Sequence, residues 1–471
     1  MIQKLFSILF VTCSFITQNI SAQCSWIRGS SETIDYSADA WGLAFDDADN
    51  YYVAGAFRED FTASGISFSA PTKGQGYFVA KYDTDGNIIW GKVIEAFAES
   101  NTRLPRIHRV GERLYLAGAS VAEIMIDGTS YGNEEADNVF LIGMNFDGGF
   151  DFINTFPDSA AVEPPYVAGI THNQQNNIYI TGSFSGYLDW GPFTATSSTP
   201  TTFIAMFNSD GNILEFDKTS SPGSSQSRGW PITVDGDNNL ILGGHFQNTL
   251  NYSPCVGELT VPTSDRNPYI MKMDSALHCE WVVVGDGVQE FSTTYGLVTD
   301  AENNIYACGN FNDSISFNGV GLTDAEGTFF IIKIDTGGTV LWAKAYGDNA
   351  TTGQAVSTLN FDAAGNLWLT GWHAAAADFG SVSFSGTGVF AVKLDADGNP
   401  LEGVSGDGLS TSYPSIIDNS GNLIIAGAAE GDEINFEGDG YEYSTNSSKG
   451  FFILRYYLDS DSCSADTIDI A

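Results

Sequence analysis

Apolar and polar residues alternate in short runs along this chain, and the runs recur. "NNIYITGSFSGYLDW" (176–190), "NNLILGGHFQNTLNY" (238–252) and "NNIYACGNFNDSISF" (303–317) repeat one pattern in different residues. Each reads as a polar turn, an alternating strand and the start of a second strand. No stretch carries a sustained helical period. Aligned on its central glycine, the pattern occurs at Gly55, Gly118, Gly182, Gly244, Gly309, Gly371 and Gly427, with a mean spacing of 62 residues. Five residues earlier stands Asn50, Asn177, Asn239, Asn304, Asn366 or Asn422, and Arg113 in the second copy. A second signature follows each glycine, as in "YFVAKYDTDGNIIW" (77–90), "FFIIKIDTGGTVLW" (329–342) and "VFAVKLDADGNPLE" (389–402).

Self-similarity at this period marks a propeller or solenoid. Each copy accommodates four strands; in the fifth they are "YGLVTD", "NIYACGNF", "FFIIKID" and "TVLWAKA". One four-stranded sheet with two apolar faces cannot bury both alone, so the copies must pack face to face. The expectation is an all-β fold: a single seven-bladed β-propeller over 23–471, with four-stranded antiparallel blades. The ends sharpen it. The seventh copy stops after "FFILRYYLD" (451–459), whereas "CSWIRGS" (24–30) is an orphan fourth strand whose Trp26 matches Trp90, Trp281 and Trp342. The N-terminal strand is expected to complete the last blade. That places Cys24 near Cys463 and predicts a disulfide between them, with Cys255–Cys279 as a second candidate and Cys308 as a buried thiol.

Residues 1–22 read as a signal peptide: Lys4, the apolar run "LFSILFVTCSFI", and a small-residue cleavage site ending at Ala22. No later run approaches the ~20 apolar residues of a membrane helix. Export makes the cysteines available for disulfides. With 58 acidic and 19 basic side chains the net charge is −39, which repels nucleic acid and anionic lipid.

The units resemble the bacterial seven-bladed β-propeller repeat family, abbreviated SBBP. The likeness rests on "DAAGNLWLTG" (362–371) and "FFIIKIDTGGTVLW" (329–342) and extends over essentially all of 23–471. It implies export by a Gram-negative bacterium, to the periplasm or the cell surface, and a role in binding or adhesion or one not known for the family. It specifies no chemistry. Many such proteins end in a sorting domain. This chain ends at "SCSADTIDIA" directly after the expected latch, so the expectation is periplasmic residence, another export route, or a sequence that stops short of such a domain.

The residues themselves point to no catalytic constellation. The histidines His108, His172, His245, His278 and His373 are scattered singly, and no nucleophile elbow or phosphate loop occurs. The acidic turns "DDADN" (46–50), "DTDGN" (83–87), "DGDNN" (235–239) and "DADGN" (395–399) suit hairpins before metals, leaving room only for weak Ca2+ binding. No other cofactor is expected. Lys81, Lys272, Lys333, Lys393 and Arg455 recur at one place on the third strand and are expected to pair with turn aspartates.

Fourteen residues before the anchor glycine stand Trp41, Trp230, Tyr295 and Tyr413, with Tyr166 two residues off register. In a propeller this level faces one mouth of the central channel, where aromatic rings stack sugars or pack between blades. Four of the nine arginines fall in "NTRLPRIHRVGER" (101–113), and Arg103 and Arg106 lie at the strand's entrance beside the aromatics. A guanidinium there suits a carboxylate or sulfate. The leading expectation is an exported non-enzymatic binding or scaffold module for an extracellular polysaccharide or protein at this rim. The alternative is a lyase or hydrolase at the same mouth, which requires a carboxylate within reach of Arg103, Arg106 and His108.

Overall fold

The computed structural model describes residues 24–29, 38–71, 75–96, 105–160, 163–220, 223–252, 256–260, 265–287, 292–323, 328–347, 354–374, 376–407, 409–429, 435–436 and 450–458. The expected signal peptide and Cys463 lie outside the described residues, as do Arg103 and Cys255. Among those described, every regular element is a β-strand and every pairing is antiparallel. No helix is long and apolar enough to cross a membrane. The arrangement is all-β and propeller-like.

One succession of pairings recurs. Asp39–Phe45 pairs with Tyr51–Phe57, that strand with Gln75–Tyr82, and that with Ile88–Ala96. The same order starts again at Arg106–Val110, Tyr166–His172, Gln226–Val234, Thr293–Thr299 and Gln354–Phe361. From Leu409–Ile417 the chain supplies three strands, ending in Gly450–Tyr457, and Cys24–Gly29 takes the fourth place. Its register repeats that of the other copies. Trp26 stands opposite Arg455 as Trp90 does opposite Lys81, Trp281 opposite Lys272 and Trp342 opposite Lys333.

The seven first strands, called inner strands below, neighbour one another in chain order, and Leu409–Ile417 lies beside Asp39–Phe45. Apolar clusters fill the spaces between consecutive copies. Tyr51, Phe78 and Ala80 pack on Ile424, Phe451 and Ile453 from the far end of the chain. Across the next space, Tyr77 and Val79 meet Leu116 and Phe140. Such interlocking faces explain why the strands are apolar on both sides.

The turns are specified locally. In Asp46–Asn50 the Asp46 carboxylate accepts the amides of Ala48 and Asn50, and Asp49 adopts φ 55°. Equivalent places hold Asn176, Asn238, Asn303, Gly365 and Gly421, residues that tolerate left-handed backbone. The recurrent cations close the motif: Lys81–Asp46 3.4 Å, Lys272–Asp235 2.9 Å, Lys333–Asp300 3.4 Å, Lys393–Asp362 3.9 Å and Arg455–Asp418 3.4 Å. Fourth-strand tryptophans reach the next copy. Trp90 Nε1 donates to Phe146 O and Trp281 Nε1 to Thr336 O, at 3.1 and 3.0 Å. Gly148 (φ 82°) lies against the Trp90 ring, where a Cβ would come within 3.1 Å.

Candidate functional site

The anchor glycines locate the site. Gly55, Gly182, Gly244, Gly309, Gly371 and Gly427 each pair with an inner strand beside a register shift. A Cβ on Gly182 would sit 1.8 Å from Tyr166 O, and one on Gly309 2.0 Å from Thr293 O. Each shift is a β-bulge, which inserts an extra residue and re-aims its side chain. In the first, fourth and fifth copies that residue is Trp41, Trp230 (with Pro231) or Tyr295. The recurring glycine and the aromatics fourteen residues before it are thus two halves of one device.

The inner strands surround a cavity of about 530 Å3, to which all seven copies contribute. Trp41, Arg106, Trp230 and Tyr295 line it, together with Pro231, Trp372, Pro414 and the hydroxyl residues Ser357, Thr358, Ser412 and Ser415. Tyr166 does not. It is 8% exposed and its ring packs 5.9 Å from that of Trp230, so it fills the space between copies. The bulged place in its copy belongs to Ala168. Tyr413 falls within a bulge, but its side chain, like Arg103, lies outside the described residues. Trp230 and Tyr295 meet edge to face at 5.9 Å.

Arg106 donates from Nη1 to Trp41 O at 2.8 Å, and its guanidinium lies over the Trp41 ring, 5.6 Å from the centroid. Burial lowers its pKa to about 10, which leaves it cationic at neutral pH. Beside it, His108 Nε2 and His172 Nδ1 are 2.8 Å apart. Burial, and then the neighbouring imidazole, push His108 down to about 3, and burial also lowers His172. This contact joins two histidines that read as isolated in the sequence. On the opposite wall Ser415 Oγ contacts Thr370 Oγ1 at 3.0 Å and accepts from Asn360 Nδ2 at 2.8 Å. Among the described residues no group of three or more potential ligands could hold a metal.

No family model and no curated protein matches the chain. Several solved structures are distantly similar. A catalytically inactive virginiamycin B lyase from Staphylococcus aureus with quinupristin has 12% identity and a TM-score of 0.41, covering 91% of this chain and 98% of that one. A protein of unknown function from Dyadobacter fermentans has 10% identity and a TM-score of 0.39, covering 77% and 98%. An intramolecular trans-sialidase from Ruminococcus gnavus with oseltamivir carboxylate has 10% identity and a TM-score of 0.32, covering 92% and 96%. Likenesses this distant assign no function.

Proposed function

We propose that the chain is an exported, seven-bladed β-propeller of four-stranded blades, closed by its N-terminal strand, and that it binds an extracellular glycan in the axial cavity. The closed succession of inner strands and the register of Cys24–Gly29 support the architecture. The binding reading rests on one observation: bulges present Trp41, Trp230 and Tyr295 to a single cavity of about 530 Å3, a volume suited to a small ligand. Aromatic rings flanked by hydroxyls match the apolar faces and hydroxyl edges of a sugar.

The enzymatic alternative, a lyase or hydrolase, calls for acid and base groups at the reacting bond. The cavity's described lining contains neither Asp nor Glu. His108 is held neutral by burial, and its Nε2 faces His172. Binding without turnover fits this lining better.

The test is a thermal-shift screen of residues 23–471 against neutral and acidic polysaccharides, beside a Trp41→Ala/Trp230→Ala double variant. A dose-dependent rise in Tm that the variant loses is the expected outcome. Absence of any shift in a cooperatively melting protein removes the glycan reading.

A further inference from the structure

Arg106 is out of keeping with both its copy and its cavity. Pairing sets its place in the ladder. Arg106 stands opposite Ala117, as Gly42 does opposite Ala54, Gly169 opposite Thr181, Gly296 opposite Cys308 and Thr358 opposite Thr370. Pro231 and Pro414 hold the same place in the fourth and seventh copies, each preceding a residue matched to Leu43. Six copies therefore fill this level with Gly, Pro or Thr, and the fold needs no long side chain there. A charge on this inner surface carries a desolvation cost that architecture does not explain.

Its partners make the point stronger. Arg109, Arg113, Arg228 and Arg455 all reach carboxylates, as do Lys81, Lys272, Lys333 and Lys393. Arg106 forms no ion pair among the described residues. Of its five donors, Nη1 reaches Trp41 O, and Nε is buried without a hydrogen-bond partner. The buried Oγ of Ser412, also in the lining, is likewise unpartnered. In a chain with 58 acidic residues, the described lining holds no acidic side chain. Among the described lining residues, an anion entering here meets one cation and no carboxylate.

We propose that the cavity selects an acidic sugar, whose carboxylate is taken by the Arg106 guanidinium while the Trp41, Trp230 and Tyr295 rings hold the sugar faces. The inference rests on the glycan reading above and adds the charge of the ligand. Planar, forked donors pair with a carboxylate in two parallel hydrogen bonds. The Trp41 ring and carbonyl hold the fork in one orientation before a ligand arrives, which reduces the ordering cost of binding.

Calorimetric titration decides it, using tetrasaccharides of galacturonate, glucuronate and mannuronate, each beside its methyl ester. The ester keeps the sugar body and removes the charge. The expected result is binding of at least one acid ~10- to 100-fold tighter than its ester. Arg106→Gln should abolish that preference and retain ester binding, and Arg106→Lys should keep part of it. Equal affinity for acid and ester, lost in Trp41→Ala, overturns the charge selection and leaves the glycan reading intact. Binding of neither form to a cooperatively melting protein overturns both. The wild-type comparison of acid with ester stands even where Arg106→Gln fails to fold.

Discussion

Lys272 and Asp235 form the most enclosed of the repeated ion pairs, with side chains 4% and 0% exposed and 2.9 Å between their charges. Burial alone raises a carboxyl pKa. Here the hydrogen bonds from Asn239 and Lys272 outweigh it, and Asp235 titrates below 3.8. Asp235→Ala leaves Lys272 with only Glu280, 3.9 Å away and half exposed, and also removes the acceptor for the Asp237 and Asn239 amides. The expected cost is about 3–5 kcal/mol in chemical denaturation. Asp395→Ala, at an exposed turn with the same amide pattern, should cost about 1 kcal/mol. Equal losses would refute the view that enclosure sets the energy. At this scale much of the site was legible. The offset of fourteen residues found Trp41, Trp230 and Tyr295, because a repeated bulge keeps that offset constant. It misplaced Tyr166, which precedes its bulge instead of occupying it. His108 and His172 both stand ten residues before their glycines, but the second copy turns through the shorter Val110–Arg113 connection, which slips its pairing by one residue. Their contact is therefore diagonal and has no simple signature in the spacing. The lack of a described carboxylate beside Arg106 was likewise invisible, since it depends on what distant segments bring to the axis.

At the scale of elements, Cys24–Gly29 is the piece whose placement rests on the greatest chain separation. The sequence indicated it by subtraction, one copy lacking a fourth strand and one strand lacking a copy. The register of Trp26 opposite Arg455 agrees with that reading. The strand also reaches the first copy, where Arg28 donates from Nε to Gly86 O at 3.2 Å and from Nη2 to Asp85 O at 3.0 Å. Deleting residues 24–29 leaves Gly450–Tyr457 as an unpaired, apolar edge, with Phe451, Phe452, Ile453 and Leu454 all at 0% exposure in the intact protein. The variant is expected to lose at least about 4 kcal/mol of stability, from the burial of Ile27 and the lost ladder. Light scattering should also reveal association through the open edge. A deletion variant with unchanged Tm and monomeric scattering would show that the strand is an accessory. A Cys24–Cys463 bridge is proposed to pin the same element. If that bridge and Cys255–Cys279 both form, the unfolded, unreduced mature chain titrates a single thiol, Cys308. Two or more thiols would rule out one of the pairs.

For the whole molecule, two effects of acidification oppose each other between neutral and mildly acidic pH. The net charge of −39 destabilises the compact state through self-repulsion, and protonating carboxylates relieves it. The buried histidines act the other way. Burial holds His108 at about 3, burial lowers His172, and burial followed by Arg266 and Arg228 pushes His245 well below 6.5. A histidine with a depressed folded pKa contributes stability that is complete above 6.5. That contribution is lost as pH falls toward the folded value, because the unfolded chain takes up protons the folded chain refuses. Each such group removes up to about 1.4 kcal/mol per pH unit. Carboxylates such as Asp46, Asp235 and Asp362, lowered below 3.8 in the folded protein, stay ionised in both states until the pH is well under 5. The histidines therefore decide the window from pH 7 to 5, and the free energy of unfolding should fall across it even as the net charge shrinks. Below about pH 4 the depressed carboxylates add a further loss of the same sign, set against the relief of repulsion. Denaturant titrations at half-unit pH steps measure the slope. His108→Gln removes one of these titrating groups and should flatten it. Raising the salt screens the acidic surface and leaves the buried histidines largely untouched, so the slope should persist at high ionic strength. Stability that rises from pH 7 to 5, or a slope that vanishes in salt, would instead mean that surface repulsion governs this fold.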